Sequence, residues 1–426
     1  MQLVSVHESR RFLQTEDGSP FFWLGDTTWE LFHRLSRTEI ADFLSVRHQQ
    51  GYNVVQAVAL AELDGIRVPN REGQFPLIDE DPTKPDLREG GYWDLVDFAF
   101  EIAEKHQIYI ALLPTWGDKI KKDWGDGPEI FTVENARVYG EFIGKRYGQR
   151  DNLIWIMGGD RSFEPQQLEI VRAMAEGIRA TEAKRHLMSF HPVGGKSSSA
   201  EVLNEPWLNM HMNQSGHWWF DMRPDLMIEN DLKIDPNRPS LDGEPCYENH
   251  RPFKALMEYK DLSIPVFDAY YVRRACYQSV FAGGCGVTYG CHAIWQMAQP
   301  MFEPVNYPIG YWHQSMQLPG AVQLVHLRDL VSGPEYFDRM ADQSLILAGL
   351  GDGADTARAW RTASGKRAAI YLPSPRPLKV DRSQLQAGAR SYWFDPRTGS
   401  RIDANSIDET FNAPTAEDWV LLFDAD

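Results

Sequence analysis

No stretch of this sequence reaches the roughly 18 consecutive apolar residues that a membrane-spanning helix needs. The opening residues, MQLVSVHESRRFLQTEDG, hold no apolar core of a secretory signal. The expectation is a soluble cytoplasmic chain, or a secreted or periplasmic one if a leader precedes this sequence. Cysteine is scarce. Cys246, Cys276, Cys285 and Cys291 are 4 in 426 residues, and none forms a CxxC pair. That is no disulfide framework, and buried free thiols are the reading. His292 beside Cys291 is the nearest approach to a metal cluster and lacks zinc-site spacing, so neither a metal nor a cofactor is expected. Positive charge is also short, with 43 Lys+Arg against 60 Asp+Glu and a net charge of −17. A nucleic-acid binder would carry a basic field, so no nucleic acid is expected as a partner, and no membrane. Long like-charge runs, internal repeats and low-complexity segments are lacking as well.

Aromatic residues are plentiful, at 12% with 14 Trp. Flat indole faces match the C–H faces of sugar rings, although tryptophan is as often simply core.

Strand-like and helix-like segments alternate along most of the chain. FFWLGD (21–26), NVVQAVAL (53–60), IYIALLPTW (108–116), NLIWIMGGD (152–160), HLMSFHP (186–192), LNMHMNQS (208–215), RPSLDGEP (238–245) and GVTYGCHAIW (286–295) read as strands. Amphipathic helices lie between many of them, as in 92–107, 133–148, 165–181 and 272–283. Repeated βα units imply a parallel sheet, and eight strands over about 300 residues fit a (β/α)8 TIM barrel, an α/β fold. The first βα turn, GDTTW, is not the GxGxxG of a dinucleotide-binding sheet. From about residue 340 the pattern changes to short runs such as RAAIYLPS and DWVLLFD, split by Gly, Pro and Asp, which read as a small all-β sandwich. The expected division is a barrel over 1–335 and a sandwich over 340–426.

Barrel enzymes work at the C-terminal ends of their strands. The polar and aromatic residues placed there by this reading are Asp26, Trp116, Asp160, His191, His211 with Asn213, Glu244 and Trp295. Asp160 ends strand four and Glu244 ends strand seven. Two carboxylates facing each other across a pocket are what glycoside hydrolysis needs: one gives a proton to the leaving oxygen, the other attacks the anomeric carbon or activates water. The glycines before Asp160 would let substrate approach the backbone. Asp26, Trp116, His191, His211, Asn213 and Trp295 are the candidate substrate contacts. Each has a plainer alternative: Asp160 as a turn or cap residue, Glu244 as a salt-bridge partner, the histidines as structural groups, the tryptophans as core.

The segments FFWLGDTTWELFHRL, NVVQAVAL, ALLPTWGDK, IWIMGGD, LDGEPCYE and TYGCHAIWQ together resemble glycoside hydrolase family 140. The resemblance covers about the first 300 residues, and the C-terminal region resembles the immunoglobulin-like sandwich that follows this barrel. It implies activity on apiose-containing glycans, with Asp160 as acid/base and Glu244 as nucleophile. The leading expectation is a retaining glycoside hydrolase for a plant-derived glycoside or oligosaccharide, an apioside included. Two alternatives stand beside it: an inactive, carbohydrate-binding barrel, and a metal-dependent barrel hydrolase using His191, His211 and Asp26.

Overall fold

In the computed structural model, which describes residues 1–425, the apolar runs become eight parallel strands. They are β1 (Trp23–Thr27), β2 (Val54–Val58), β3 (Tyr109–Leu113), β4 (Leu153–Gly158), β5 (Met188–His191), β6 (His211–Gln214), β7 (Ser240–Asp242) and β8 (Gly286–Tyr289). Every residue of all eight is buried, as expected for strands covered on both faces. The ladder is continuous from β5 back through β1 to β8, β7 and β6, with β8 pairing β1 at Gly286↔Trp23. Between β5 and β6 the ring closes through a side chain. The Asn209 backbone N–H donates to the Met188 carbonyl at 2.8 Å, and the side-chain Oδ1 of Asn209 accepts from the Met188 N–H at 2.9 Å. A small antiparallel sheet of Val4–Val6, Leu13–Thr15 and Pro20–Phe21 leads into β1. No helix among the described residues is long and apolar enough to cross a membrane.

The helices that cover the barrel start where the sequence supplies caps. Helix α1 (Arg37–Gln49) follows β1 and opens on a Ser36/Glu39 capping box. Helix α2 (Tyr92–Lys105) follows β2, α3 (Val133–Tyr147) follows β3 behind a Thr132/Asn135 box, and α4 (Pro165–Thr181) follows β4 with proline in its first turn. Helices α5 (Pro224–Ile234), α6 (Ala269–Phe281) and α7 (Pro319–Val331) follow β6, β7 and β8. The fifth unit departs from the regular beat. After β5 there is only a 3-10 turn at Ser198–Ala200 and a two-residue strand, Lys196–Ser197, antiparallel to β6. The intervening VGGKSSSAEVLNEP has no apolar 3.6-residue period to bury, so nothing favours a helix there.

The segment 286–295 also differs from its expected single strand. β8 stops at Tyr289, and His292–Trp295 is a helical turn. The Tyr247 ring packs against Gly290, where an added Cβ would fall 1.9 Å from its Cδ1, and the Glu248 N–H donates to the Gly290 carbonyl at 2.9 Å.

The C-terminal region is all β. A six-stranded antiparallel sheet centres on Arg367–Leu372 and Trp419–Asp424, and a four-stranded sheet, Ile346–Ala348 with Leu378–Val380, Thr410–Phe411 and Ser406–Ile407, covers one of its faces. Alternation decides what each face meets. Ala368, Ile370, Leu372, Leu421 and Phe423 point into the core shared with the smaller sheet. Ala369, Tyr371, Val420 and Leu422 point the other way and join the barrel's core. Helix α6 is therefore covered on its outer side too: Tyr277 stacks on Tyr371 at 4.9 Å, and Gln278 donates to the Thr356 carbonyl at 3.0 Å.

Ion pairs cross this junction, from Arg358 to Asp225 and Glu229 of α5 and from Arg273 of α6 to Asp418. Arg273 of α6 makes two hydrogen bonds to Asp418, 2.6 and 3.1 Å, and the Tyr371 hydroxyl donates to the same carboxylate at 3.1 Å. The Asp418 side chain is fully buried and that of Arg273 is 6% exposed. Removing one partner strands a buried charge, so Asp418→Ala is expected to lower stability by about 3–5 kcal/mol in urea unfolding. A change under about 0.5 kcal/mol, the range of an ordinary surface substitution, would show that the pair does not hold the junction.

Candidate active site

The end of β4 is built by backbone crowding. Gly158, Gly159 and Asp160 all adopt positive φ, at 89°, 118° and 55°. A Cβ on Gly158 would lie 2.4 Å from the His191 carbonyl oxygen, and one on Gly159 would lie 2.6 Å from the Gly117 nitrogen. The Gly117 N–H donates to the Gly159 carbonyl at 3.0 Å, and the Gly159 N–H to the His191 carbonyl at 3.1 Å. The glycines thus admit the neighbouring chain after β3 and the end of β5, not substrate. Pinned on both sides, the turn throws the Asp160 side chain, 22% exposed, over the barrel mouth. Its backbone carbonyl accepts from Arg161 Nη1 at 2.7 Å.

Glu244 lies two residues beyond β7. It sits among His191, His217 and Tyr247. His191 Nε2 is 3.0 Å from its Oε2, a contact out of line for a well-formed hydrogen bond. His217 Nε2 is 3.9 Å from Oε1. The Tyr247 hydroxyl donates to the same carboxylate and accepts from Trp29 Nε1 at 3.2 Å. Two supports place this loop. The Gly216 N–H donates to the Glu244 carbonyl at 2.9 Å, and Ser215 bonds to buried Asp242 through its N–H at 3.2 Å and its hydroxyl at 2.5 Å. Burial and the nearby Glu244 charge push Asp242 up to about 6, against these Ser215 bonds.

The two carboxyls are driven in opposite directions. Burial raises Asp160 most, the Glu244 charge adds to it, and together they outweigh His191, Arg161 and a hydrogen bond from Gln214, leaving it at about 7. Burial pushes Glu244 up as well. Its contact with His191, the charges of His191 and His217, and the Tyr247 hydroxyl more than offset that and hold it below the usual range. One group is thus disposed to keep a proton and the other to lose it.

Not all of the expected contacts join them. His191, the last residue of β5, does, and it also meets Trp29 edge-on at 5.2 Å. Trp116 packs on Trp29 at 5.0 Å in the floor of the mouth and is only 2% exposed, so its face is not open. Trp295 is 8% exposed, its Nε1 donating to His292 at 3.2 Å. Three residues are corrected. Asp26 points outward to α1, where Arg47 Nε donates to it at 2.6 Å within a fully buried pair. His211 begins β6 rather than ending it, and it meets Ser198 at 3.2 Å and Asp235 at 3.4 Å. Asn213 donates to Asp231 of α5 and to Ser240, each at 2.9 Å. His191, His211 and Asp26 therefore face three different surroundings and do not converge as ligands of one ion. Among the described residues no group of three or more His, Cys, Asp or Glu side chains is placed to hold one.

Other side chains take their places. Gln214, the true end of β6, reaches Asp160. His217 stacks at 4.6 Å on Tyr247 and at 4.5 Å on His250, which meets His292 at 4.2 Å. Burial lowers His217 against the Glu244 charge, takes His250 well below the usual value and brings His292 to about 4. Glu62, half-buried on the loop after β2, is raised well above the usual range by burial, then by the charges of Asp118 and Asp160. Two exposed indoles flank the mouth, Trp124 after β3 at 44% and Trp218 after β6 at 46%. A separate cleft of about 660 Å³ opens at the other end of the strands, lined by Val4, Arg10, Arg185, His186 and Arg238 among others, but it holds no facing pair of carboxylates.

A raised carboxyl favours the folded state while it is protonated. The Asp160 contribution is therefore complete below its unfolded value near 3.8 and is lost as pH rises through about 7. Asp160→Asn should accordingly be more stable than the parent at pH 8, on the order of 2 kcal/mol, with the difference vanishing near pH 4. Equal stability at both values, read by thermal unfolding, would mean that the carboxyl is not raised.

Residues 7–338 match the family described as "Apiosidase-like, catalytic domain". Residues 340–424 match the family described as "Putative collagen-binding domain of a collagenase". The chain is 29% identical to a solved glycoside hydrolase family 5 protein from Bacteroides vulgatus ATCC 8482, with a TM-score of 0.90 over 100% of this chain and 93% of that one. A second solved structure, described as a glycoside hydrolase, is also 29% identical, with a TM-score of 0.88 over 100% of this chain and 97% of that one. No curated protein matches the chain.

Proposed function

The chain belongs to the apiosidase-like family and is a glycosidase, and we propose that it cleaves its substrate with retention of configuration, Glu244 acting as nucleophile and Asp160 as acid and then base. The observation that carries this reading is the opposed state of the two carboxyls, one at about 7 and one held below the usual range. Glu244 attacks the anomeric carbon while Asp160 gives its proton to the departing oxygen. Once Glu244 is esterified its charge is gone, and with it one cause of the raised Asp160 value. Asp160 is then a carboxylate able to take a proton from water, which displaces Glu244 from the sugar.

His191 and Tyr247 hold Glu244 ionised and aimed before attack. Gln214 steadies Asp160 in its charged form. The sugar we propose is a terminal apiosyl unit on a plant glycoside. The family description supports it, and a branched pentofuranose presents little surface to a mouth floored by closely packed Trp29, Trp116 and His191.

Three measurements test the assignment. The kcat/KM profile of the protein should be a bell whose alkaline limb lies near 7 and whose acid limb lies below the usual carboxylate range. Glu244→Gly should lose essentially all turnover and regain part of it with azide on an activated glycoside, giving the inverted glycosyl azide. Time-resolved NMR should find the first-formed sugar with the substrate's anomeric configuration. An inverted first product would remove the nucleophile role from Glu244 and leave it as a base for water.

A further inference from the structure

We propose that Trp124 forms the leaving-group subsite, a flat apolar platform that takes a ring, either the C–H face of a second sugar or an aromatic aglycone, beside the acid Asp160. The inference rests on the assignment of Asp160 as the proton donor, and it names what lies beyond the bond that is cut.

A general acid must stand beside the departing oxygen, so the leaving group lies on the Asp160 side of the mouth. That side is built by Arg161 and the loop after β3. The Arg161 side chain is fully buried. It donates to the Asp160 carbonyl at 2.7 Å, to the Trp124 carbonyl at 2.6 Å and to the Lys121 carbonyl at 3.3 Å. One guanidinium thus ties the acid and the indole into a single unit. The guanidinium carbon also lies 3.9 Å from the centre of the Trp124 ring, which gives the indole a cation on its inner face. Gly125 keeps the loop close: a Cβ there would lie 3.0 Å from Arg161 Nη2 and 3.1 Å from Asp118 Oδ2.

The outer side of Trp124 is unmatched, with 44% of the residue exposed. Capping Arg161 requires only one face of an indole, and a smaller or aliphatic side chain would do that without exposing so much apolar surface to water. An exposed large aromatic fixed against a buried cation, one residue away from the acid through that cation, is suited to stacking on a ring. The loop is anchored below by Asp118, which accepts from the Gly127 N–H at 2.9 Å and pairs with buried Lys119 at 2.8 Å. The platform is held in place before substrate arrives.

The test compares two substrates of the same sugar on the full chain, the glycosyl fluoride and the phenyl glycoside. Fluoride departs without a ring to stack, whereas phenol carries one. Trp124→Ala should lower kcat/KM for the phenyl glycoside at least tenfold more than for the fluoride, mainly through KM. Trp124→Phe, which keeps a flat face, should recover most of the difference. A disaccharide with a pyranose in the leaving position then separates the two sources, by showing the same tenfold excess or only the aryl glycoside showing it. Equal factors on fluoride and phenyl glycoside would overturn the subsite, and so would an excess on the phenyl glycoside that lies in kcat with a moved alkaline limb of the pH profile, which would leave Trp124 as a cover for Arg161 beside the acid. Turnover of neither substrate by the parent protein would overturn the reading of the reaction, and the subsite with it.

Discussion

The contact of the Gly117 amide with the Gly159 carbonyl, at 3.0 Å, is the constraint on which the mouth of the barrel depends. It is possible only because neither residue has a side chain, and it brings the chain after β3 against the end of β4. From that one approach follow the left-handed turn that lifts Asp160, the burial of Arg161 behind it and the seat of Trp124 on the guanidinium. A methyl group at either glycine would force the two loops apart and move the acid and its neighbours together. Asp160 is thus placed by its backbone, and its carboxyl meets the side chain of Gln214.

Glu244 is placed in the contrary way, by side chains on every side. Trp29, Tyr247, His217 and His191 form a continuous aromatic wall around it. The wall excludes water, which alone would protonate a carboxylate, yet it supplies enough donors to reverse the effect. Behind it burial takes His250 well below the usual value and His292 to about 4, so these two serve as packing, while the charge of His217 helps hold Glu244 low. Burial is common to Asp160 and Glu244; Glu244 meets more donors and Asp160 feels the Glu244 charge, and these differences drive the two carboxyls apart.

Much of this was legible in the sequence. Most of the eight strands announced themselves as β-branched or aromatic runs, and the change of rhythm near residue 340 marked the all-β region. The strand-end placement of Asp160 and Glu244 was legible because each follows a strand and a glycine. The misplacements have one cause, which is register. LNMHMNQS was read as a strand from 208, whereas β6 starts at His211 and ends at Gln214. A strand's faces alternate, so in β6 the odd residues His211 and Asn213 meet the helix layer while Gln214 looks into the mouth. Asp26 fell to the same rule: it faces α1, where Arg47 waits among the rings of Phe43, Tyr52 and Tyr289. His217, Tyr247, Trp29 and Trp124 lie on loops, where no periodicity tells which way a side chain turns. The one signal available for Trp124 was a tryptophan between charged and glycine residues, in KKDWGDG, with no apolar neighbours to bury it.

The two-faced sheet makes the two regions depend on each other. The strand Trp419–Asp424 lies at the centre of the six-stranded sheet, between Arg367–Leu372 and Arg390–Phe394. It gives Val420 and Leu422 to the barrel's core, and Asp418 just before it answers an arginine 145 residues upstream. Without this strand α6 would keep a buried Arg273 facing no carboxylate and an apolar face open to water, so the outer packing of that helix and the folding of the all-β region are one cooperative event.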